Sequence, residues 1–287
     1  MRVSSGWKDY ELVDCSSGER LERWGDVVLI RPDPQAIWQT PKSHPLWGKA
    51  HARYKRSSSG GGRWEIYNSF PKEWKVSYKD LSFKIKPMGF KHTGLFPEQA
   101  VNWDFARETI KKSGRDLKVL NLFAYTGGAT VACLASNASV VHVDASKGMV
   151  LHAKENAAQS HVENGNVRYI VDDCVKFVQR EIKRGNKYDI VIMDPPSYGR
   201  GPGGEVWKLE ERIYQFVELC AKVLSDDPVM FLVNSYTAGL SPAVMQYILG
   251  TVLPGKYKGQ VISDEIGLEV TSSGLLLPCG ASAVWVK

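Results

Sequence analysis

The sequence predicts an α/β protein in which a mostly parallel sheet follows a small, β-rich N-terminal domain. Residues 1–87 contain short runs of alternating apolar and polar residues bounded by turn residues, a pattern typical of strands. From residue 97 onward, short apolar runs alternate with helical patterns, which favours a parallel sheet covered by helices on both faces. A chain of 287 residues is long enough for two such domains.

The N-terminal domain is predicted to contain several short strands and one irregular region. The strands are expected at 10–15, 21–24, 27–31, 64–67, 74–78 and 81–85. Four prolines between residues 32 and 45 exclude long regular elements there, so we expect an ordered loop.

The second domain, predicted over residues 88–287, is expected to alternate strands and helices. The strands are expected at 118–123, 140–144, 167–171, 188–193 and 229–234. The helices are expected at 98–112, 128–136, 146–159, 174–184, 208–224 and 242–249. Residues 260–266 and 282–286 are predicted to form an antiparallel hairpin that closes the sheet, with 274–280 as its loop.

Composition and charge narrow the class of protein. The five cysteines are scattered without a CxxC pair, so neither a zinc cluster nor a disulfide framework is indicated, and no metal is expected. No apolar run approaches the ~18 residues of a membrane-spanning helix, and the first residues lack a secretory signal pattern. We therefore expect a cytoplasmic protein with no membrane partner, whose oligomeric state the sequence does not specify.

A band of basic and aromatic residues marks the N-terminal domain. Residues 42–91 hold 12 lysines and arginines against 3 acidic residues, with nine aromatic residues interleaved. Basic side chains neutralise phosphates and aromatic faces stack on unpaired bases, so Lys55 and Arg56 are candidate RNA-contact residues. The alternative is a solvated basic face over a small core, because charge alone does not identify a partner.

A candidate cofactor pocket lies where the first strand of the second domain ends. The turn there is glycine-bearing and consists of Ala124, Tyr125, Thr126, Gly127 and Gly128. In open α/β sheets, ligands bind beyond the carboxyl ends of the strands, and glycine lets the backbone approach them closely. The turn does not match the GxGxxG dinucleotide fingerprint, which argues against a nicotinamide oxidoreductase. A purely structural turn is the alternative.

Acidic residues end the next two strands. Asp144, which precedes Ala145 and Ser146, can accept hydrogen bonds from both hydroxyls of a ribose, and Ser146 is available to cap the following helix. Asp173, which precedes Cys174, can accept a hydrogen bond from an adenine amino group or cap its own helix instead.

A double-proline turn follows the fourth strand. In the segment Asp194–Tyr198, Pro195 and Pro196 fix the backbone and offer no amide donors. Such a turn can direct the Asp194 carboxylate and the Pro195 carbonyl at an amine, so that both accept its hydrogens and localise its lone pair for nucleophilic attack. A rigid turn that only supports the sheet is the alternative. The glycine-rich segment Gly199–Lys208 is a candidate substrate loop.

The order of these motifs resembles that of the class I S-adenosylmethionine-dependent methyltransferases. More narrowly, Phe90–Gln99 is similar to the lead-in segment of the bacterial ribosomal RNA large-subunit methyltransferase family. In that family, a lysine directly precedes the threonine that corresponds to Thr93, whereas here His92 lies between Lys91 and Thr93. A Leu-Asp pair is also common in the family, and Pro97-Glu98 takes its place here. The resemblance covers about residues 64–287 and implies a Rossmann-like, seven-stranded sheet with S-adenosylmethionine as cofactor.

The resemblance also implies roles for individual residues. It implies that Thr93, Phe96 and Gln99 line the methionine end of the cofactor. It further implies that the cofactor is wrapped by Asn121, Phe123, Tyr125, Thr126 and Gly127.

The expected reaction is methyl transfer to a base of RNA, with ribosomal RNA favoured. Methylation of carbon 5 requires a cysteine nucleophile, which relatives carry in a Ser-Cys-Ser segment, but the matching segment here is Asn234-Ser235-Tyr236, so a nitrogen is favoured. Ser197 stands where amine-methylating enzymes usually have an aromatic residue, so Tyr198, Trp207 or Tyr236 would have to stack on the base, while Arg200 contacts phosphate. The alternatives are a methyltransferase for a small molecule or protein, and a non-catalytic RNA-binding relative.

Overall fold

The computed structural model describes residues 1–57, 61–200, 206–237, 239–253 and 257–287, and it divides into two compact units. The N-terminal unit comprises residues 2–100 and 267–279. The C-terminal unit comprises residues 101–266 and 280–287, together with Met1.

Short strands build the N-terminal unit. They are β1 (Arg2–Val3), β2 (Tyr10–Ser16), β3 (Glu19–Trp24), β4 (Val27–Pro32), β5 (Ala52–Arg56), β6 (Gly62–Ile66), β7 (Trp74–Tyr78) and β8 (Leu81–Ile85). Strands β2 to β6 lie side by side in chain order, all antiparallel to their neighbours except the parallel pair β4 and β5. Strands β7 and β8 form a separate antiparallel hairpin. Buried Leu21, Val28 and Ile30 pack in a small core, as the alternating sequence pattern predicts.

The N-terminal unit also buries charged side chains. The guanidinium of Arg31 donates to both carboxylate oxygens of Glu22, at 2.5 and 2.8 Å, and the hydroxyl of Tyr10 donates to the same carboxylate at 2.9 Å. Burial alone would raise the pKa of Glu22, but the charges of Arg20 and Arg31 and these hydrogen bonds lower it to about 2. The cluster is therefore held in its ionised form at neutral pH.

Helices and strands alternate in the rest of the chain. The helices are α1 (Ala100–Ser113), α2 (Gly128–Leu134), α3 (Lys147–Gln159), α4 (Cys174–Arg184), α5 (Leu209–Ala221) and α6 (Pro242–Val252). The strands are β9 (Lys118–Leu122), β10 (Ser139–Asp144), β11 (Val167–Val171), β12 (Ile190–Met193), β13 (Tyr198–Arg200), β14 (Val206–Lys208), β15 (Met230–Ser235), β16 (Gln260–Val270) and β17 (Leu275–Val286).

The sheet of the C-terminal unit has the strand order β11-β10-β9-β12-β15-β17-β16. The first five of these strands are parallel, and β17 runs antiparallel to β15. Successive residues of β9 face opposite sides, so Val119 packs with α1 and α2 residues while Leu120 packs with residues of α4 and α5. The predicted fold class is thereby confirmed. Between β9 and β12 the chain reverses its winding direction, which creates the crevice where such sheets bind ligands.

The closing hairpin is longer than the sequence predicted. Residues 275–280, which were expected to be loop, belong to β17, and only residues 271–274 form the turn. The side chains of Leu277, Cys279 and Ala281 are buried in alternation, so the strand continues through Pro278 and Gly280 despite their low strand propensity. None of the helices in the described residues is long and apolar enough to cross a membrane.

Candidate active site at the carboxyl edge of the sheet

The turn after β9 has a tightly constrained backbone. The amide of Ala124 donates to the carbonyl of Val143 at 3.1 Å, and the amide of Gly127 donates to the carbonyl of Ala124 at 2.9 Å. Phe123 and Tyr125 have positive φ angles of 53° and 49°, which residues with a Cβ adopt at a cost. Such strain clusters at functional sites because the surrounding structure must hold it in place.

The two glycines of this turn are required by close packing. Gly127 has a φ of 83°, and a Cβ there would lie 2.8 Å from the Cβ of Ala153 on α3. A Cβ at Gly128 would overlap the indole ring of Trp103. Both positions therefore exclude larger residues, and the helix that follows the turn packs closely against its neighbours.

Asp144 is fixed at the end of β10 by backbone amides. Its Oδ2 accepts a hydrogen bond from the amide of Tyr125 at 2.9 Å, and its Oδ1 accepts one from the amide of Ser146 at 2.8 Å. Burial raises the pKa of Asp144, while these two hydrogen bonds oppose the shift. The side chain of Ser146 caps α3 by accepting from the amide of Met149, so Asp144 is not needed as the cap.

A buried polar chain lies beneath the turn. The side-chain amide of Asn121 donates to Thr130 Oγ1 at 2.9 Å, and Thr130 Oγ1 lies 2.9 Å from Nδ1 of His142. Burial lowers the pKa of His142 to about 3, so its ring is neutral and its Nδ1 can accept a hydrogen bond from the Thr130 hydroxyl. Asn121 thus points into this chain, and its predicted contact with the cofactor stays a prediction.

Another buried amide holds the turn from α3. The side chain of Asn156, on α3, donates to the carbonyl of Thr126 at 2.8 Å. The sequence alone does not identify Asn156, Thr130 or His142, because each acts through a contact with another element of the fold. The only signal was a polar residue within an otherwise apolar run, as at His142 in β10.

The end of β11 leads into the capping residue of α4. Asp173 Oδ1 accepts a hydrogen bond from the amide of Lys176 at 2.8 Å, so Asp173 adopts the capping role that the sequence also allowed. The Sγ of Cys174 accepts a hydrogen bond from the amide of Phe123 at 3.3 Å. Burial raises the pKa of the Cys174 thiol, so it remains protonated and unreactive. The adenine contact assigned to Asp173 stays a prediction.

The double-proline turn continues from β12, on the other side of β9. The Asp194 amide lies 3.4 Å from the carbonyl of Leu122, at the carboxyl end of β9. The indole of Trp207 donates to the carbonyl of Pro196 at 2.7 Å, and Trp207 also packs against Phe123 with ring centroids 5.5 Å apart. The turn is thus joined to the residues that follow β9.

Side chains near this turn differ in their availability for a substrate. The hydroxyl of Ser197 accepts a hydrogen bond from Thr237 at 2.7 Å, and Tyr198 is 53% exposed. Among the predicted stacking residues, Tyr198 is therefore the most exposed, since Trp207 and Tyr236 are both half-buried. The predicted substrate loop includes residues 201–205, which lie outside the described residues, as does the side chain of Arg200.

The last residues of β15 offer no activated nucleophile. Ser235 is 1% exposed, and its hydroxyl accepts a hydrogen bond from the amide of Thr237 at 3.1 Å. Asn234 is likewise buried and accepts a hydrogen bond from Asn102 at 2.9 Å. Across the described ranges, no group of three histidine, cysteine or acidic side chains could hold a metal ion.

The remaining predicted site residues belong to the N-terminal unit. Thr93 and Gln99 are buried, and Phe96 is half-buried. The ammonium of Lys55 pairs with Glu65 at 3.0 Å, whereas Arg56 is exposed. The roles of these five residues stay predictions.

Comparisons with known proteins agree with this architecture. A model of the S-adenosylmethionine-dependent methyltransferase family matches residues 42–217. The ribosomal RNA large subunit methyltransferase K/L of Pseudoalteromonas atlantica is 33% identical over 147 residues, which are 51% of this chain and 20% of that protein. The chain therefore spans about a fifth of the length of this curated relative.

Solved structures extend the similarity over nearly the whole chain. A protein of Streptococcus mutans, described as a candidate S-adenosylmethionine-dependent methyltransferase, shares the fold at 18% identity, with a TM-score of 0.74 and coverage of 98% of this chain and 76% of that one. The S-adenosylmethionine-dependent methyltransferase of Agrobacterium tumefaciens is 34% identical, with a TM-score of 0.92 and coverage of 99% and 92%. Because the family model matches more than half of the chain and the A. tumefaciens structure matches almost all of it, this chain belongs to the S-adenosylmethionine-dependent methyltransferase family.

Proposed function

We propose that this chain transfers a methyl group from S-adenosylmethionine to a nitrogen of an RNA base, with ribosomal RNA as the substrate. One observation carries the proposal: Asp144 and the Asp194–Pro196 turn end the two strands that flank β9, at the switch point of the sheet. Neighbouring strands lie about 4.8 Å apart, so the two strand ends are separated by roughly 10 Å. A nucleoside with an attached amino-acid chain can span that distance, with its sugar at Asp144 and its methyl group near the prolines.

The residues at the turn after β9 fit the nucleoside part of this cofactor. Each oxygen of the Asp144 carboxylate accepts one hydrogen bond from a backbone amide and can accept another. The carboxylate can therefore accept hydrogen bonds from two ribose hydroxyls. Those backbone bonds fix the carboxylate in position before the ligand arrives, which reduces the cost of ordering it on binding. When bound, the cofactor supplies an electrophilic methyl group on a positively charged sulfur.

The double-proline turn supplies acceptors for the target amine. Neither Pro195 nor Pro196 has an amide hydrogen, so their carbonyls are not accompanied by competing donors. In the proposed reaction, the Asp194 carboxylate and the Pro195 carbonyl accept the hydrogens of an exocyclic amine and hold its lone pair in line with the methyl group. Ser235 is buried and hydrogen-bonded and the segment lacks cysteine, so we favour nitrogen over carbon 5.

The RNA part of the proposal rests on the relatives and on charge. The curated relative from P. atlantica is named a ribosomal RNA large subunit methyltransferase. Residues 1–87 would form the substrate-contact domain, because residues 42–91 carry the excess of basic residues described above. Tyr198 would stack on the target base and Arg200 would contact phosphate.

The test combines cofactor binding with mapping of ribosomal RNA. Calorimetry should detect S-adenosylmethionine binding, and mass mapping of ribosomal RNA from cells with and without the gene should reveal one nucleotide that loses a methyl group. Purified protein should restore that group, and Asp194→Ala should not, although it still binds the cofactor. Methylation of only a small molecule or protein would refute the RNA substrate. Restoration of the methyl group by Asp194→Ala would refute the catalytic role of Asp194.

A further inference from the structure

Phe90 combines an unfavourable backbone conformation with an exposed side chain. Its φ and ψ angles are 56° and 37°, and the next residue, Lys91, also has a positive φ of 70°. The Phe90 side chain is 72% exposed. The left-handed region is disfavoured for a residue with a Cβ, and a large aromatic residue in water gains little from folding. Neither the backbone nor the core of the domain therefore accounts for phenylalanine at this position.

The turn that carries Phe90 is held on several sides. The indole of Trp64, on β6, donates to the carbonyl of Met88 at 2.8 Å. The guanidinium of Arg31 donates to the carbonyl of Lys91 at 3.1 Å, and the Lys91 ammonium donates to the carbonyl of Pro32 at 3.0 Å. These bonds fix the backbone on both sides of Phe90 and so maintain its strained conformation. The exposed ring is therefore displayed by a rigid turn rather than by a flexible loop.

Two exposed arginines lie on the strand pair β5 and β6 beside this turn. It contacts β6, whose Arg63 is exposed, and Arg56 at the end of the paired strand β5 is exposed as well. In the described part of the chain, neither arginine forms an ion pair, whereas their neighbour Lys55 pairs with Glu65. Burial lowers the pKa of Lys91 to about 8, and the charges of Arg20, Arg31 and Arg56 act in the same direction, whereas the charge of Asp33 opposes them.

We propose that Phe90 stacks on an unpaired base of the RNA substrate while Arg56 and Arg63 contact the phosphates beside that base. An aromatic face with neighbouring guanidinium groups is the chemistry that binds single-stranded RNA, because every base offers a flat face and every nucleotide a phosphate. An apolar protein partner would gain little here, because it offers no charge to pair with Arg56 and Arg63 beside the Phe90 ring. The inference rests on the proposed function and names an unpaired segment as the part of the RNA that the N-terminal unit grips.

The first test measures RNA affinity at fixed salt with a single-stranded oligonucleotide of about 12 nucleotides. Removal of a stacking aromatic residue weakens binding by about 5- to 150-fold for one base, so Phe90→Ala and Phe90→Leu should both lose affinity in that range. Phe90→Trp should retain it, because tryptophan also stacks. Tyr247→Ala is the matched control, since Tyr247 on α6 is 76% exposed. It should bind the oligonucleotide as the wild-type protein does.

The second test separates binding from folding. Glycine adopts the left-handed region without strain, so Phe90→Gly should melt no lower than the wild-type protein and yet bind RNA as weakly as Phe90→Ala. An abasic site at the stacked nucleotide should weaken wild-type binding and have no further effect on Phe90→Ala, which is the coupling expected of direct contact.

The outcomes distinguish the two proposals. If the wild-type protein methylates RNA and Phe90→Ala binds it unchanged, the stacking inference fails and the proposed function stands. If Phe90→Leu binds as well as the wild-type protein, the contact is apolar rather than a stack, and the inference also fails. If the wild-type protein neither binds nor methylates RNA, both proposals are wrong.

Discussion

Replacement of Asp144 with asparagine tests whether this carboxylate holds the ribose of the cofactor. Asparagine has nearly the same shape, but one of its two polar atoms is a donor. In the structure, each carboxylate oxygen accepts a hydrogen bond from a backbone amide, one from Tyr125 at 2.9 Å and the other from Ser146 at 2.8 Å. One of these amides must therefore face an NH₂ group in the variant, and one ribose hydroxyl loses its charged acceptor.

The structure sets the size of the two effects. A hydrogen bond to a charged group contributes about 1.5–3 kcal/mol, so loss of one backbone bond should lower the free energy of unfolding by at most that amount. Burial raises the pKa of Asp144, which shows that ionisation is disfavoured in the folded chain, so the neutral amide should recover part of the loss. The cofactor loses one hydrogen bond to a charged acceptor, and the other is weakened. Its binding free energy should therefore fall by about 2–4 kcal/mol, which corresponds to a loss of affinity of roughly 30- to 1000-fold.

Calorimetry of S-adenosylmethionine binding at neutral pH, with urea unfolding as the stability measurement, separates these effects. Asp172→Asn is the matched control, because Asp172 follows the neighbouring strand β11 and pairs with Arg180. This control should bind the cofactor normally. Wild-type affinity should also fall on acidification, beginning above the ordinary aspartate pKa of 3.8, because only the ionised group accepts both hydroxyls. Wild-type affinity in Asp144→Asn would refute the ribose contact.

Three further predictions address other parts of the molecule. Asp194→Asn should reduce kcat by 100-fold or more, an order typical of lost electrostatic stabilisation, with cofactor affinity unchanged by calorimetry; an unchanged kcat would contradict the proposed acceptor role. Thr130→Val should lower the free energy of unfolding, measured in urea, by about 2–4 kcal/mol, because it removes the hydroxyl that bonds the buried side chains of Asn121 and His142. Thr130→Ser keeps the hydroxyl and should be close to wild type. Equal stability of the two variants would show that these hydrogen bonds do not stabilise the fold. Because the folded chain lowers the pKa of Glu22 to about 2, the ionised carboxylate should stabilise the fold above about pH 4.5, and this stabilisation should disappear as the pH falls toward 2. Thermal melts at decreasing pH should therefore show a loss of unfolding free energy on the order of 3 kcal/mol in the wild-type protein, and Glu22→Gln should not show it.

The sequence predicted those features that depend on neighbouring residues. Ser146 was identified as available to cap the helix after Asp144, and it does so; a capping bond spans only a few residues and is therefore visible in the local sequence. The order of strands and helices was confirmed, because apolar runs of strand length report burial on both faces of a sheet. Asp173 could not be resolved in advance, since an aspartate at a strand end suits both a ligand and a helix cap, and the structure shows the cap.

Features that depend on distant residues could not be predicted. The hydrogen bond from Asn156 to the Thr126 carbonyl joins positions 30 residues apart, and nothing in the local pattern distinguishes Asn156 from any other polar residue on a helix. The exposure of Phe90 is similarly invisible, because a phenylalanine near an apolar segment is predicted to be buried. The length of β17 was underestimated, because Pro278 and Gly280 disfavour strands locally while alternate burial of their neighbours decides the outcome.

The turn after β9 and the turn at Phe90 share one physical feature, which is positive φ at aromatic residues. In the turn after β9, the amides of Phe123 and Tyr125 donate to Cys174 and Asp144, and Asn156 donates to the carbonyl of Thr126. These hydrogen bonds balance the strain, so the turn is already formed when a ligand arrives. At Phe90 the balancing bonds likewise come from outside the turn. A conformation that costs energy persists only where the surrounding structure holds it, and in both turns that support consists of hydrogen bonds with side chains from outside the turn.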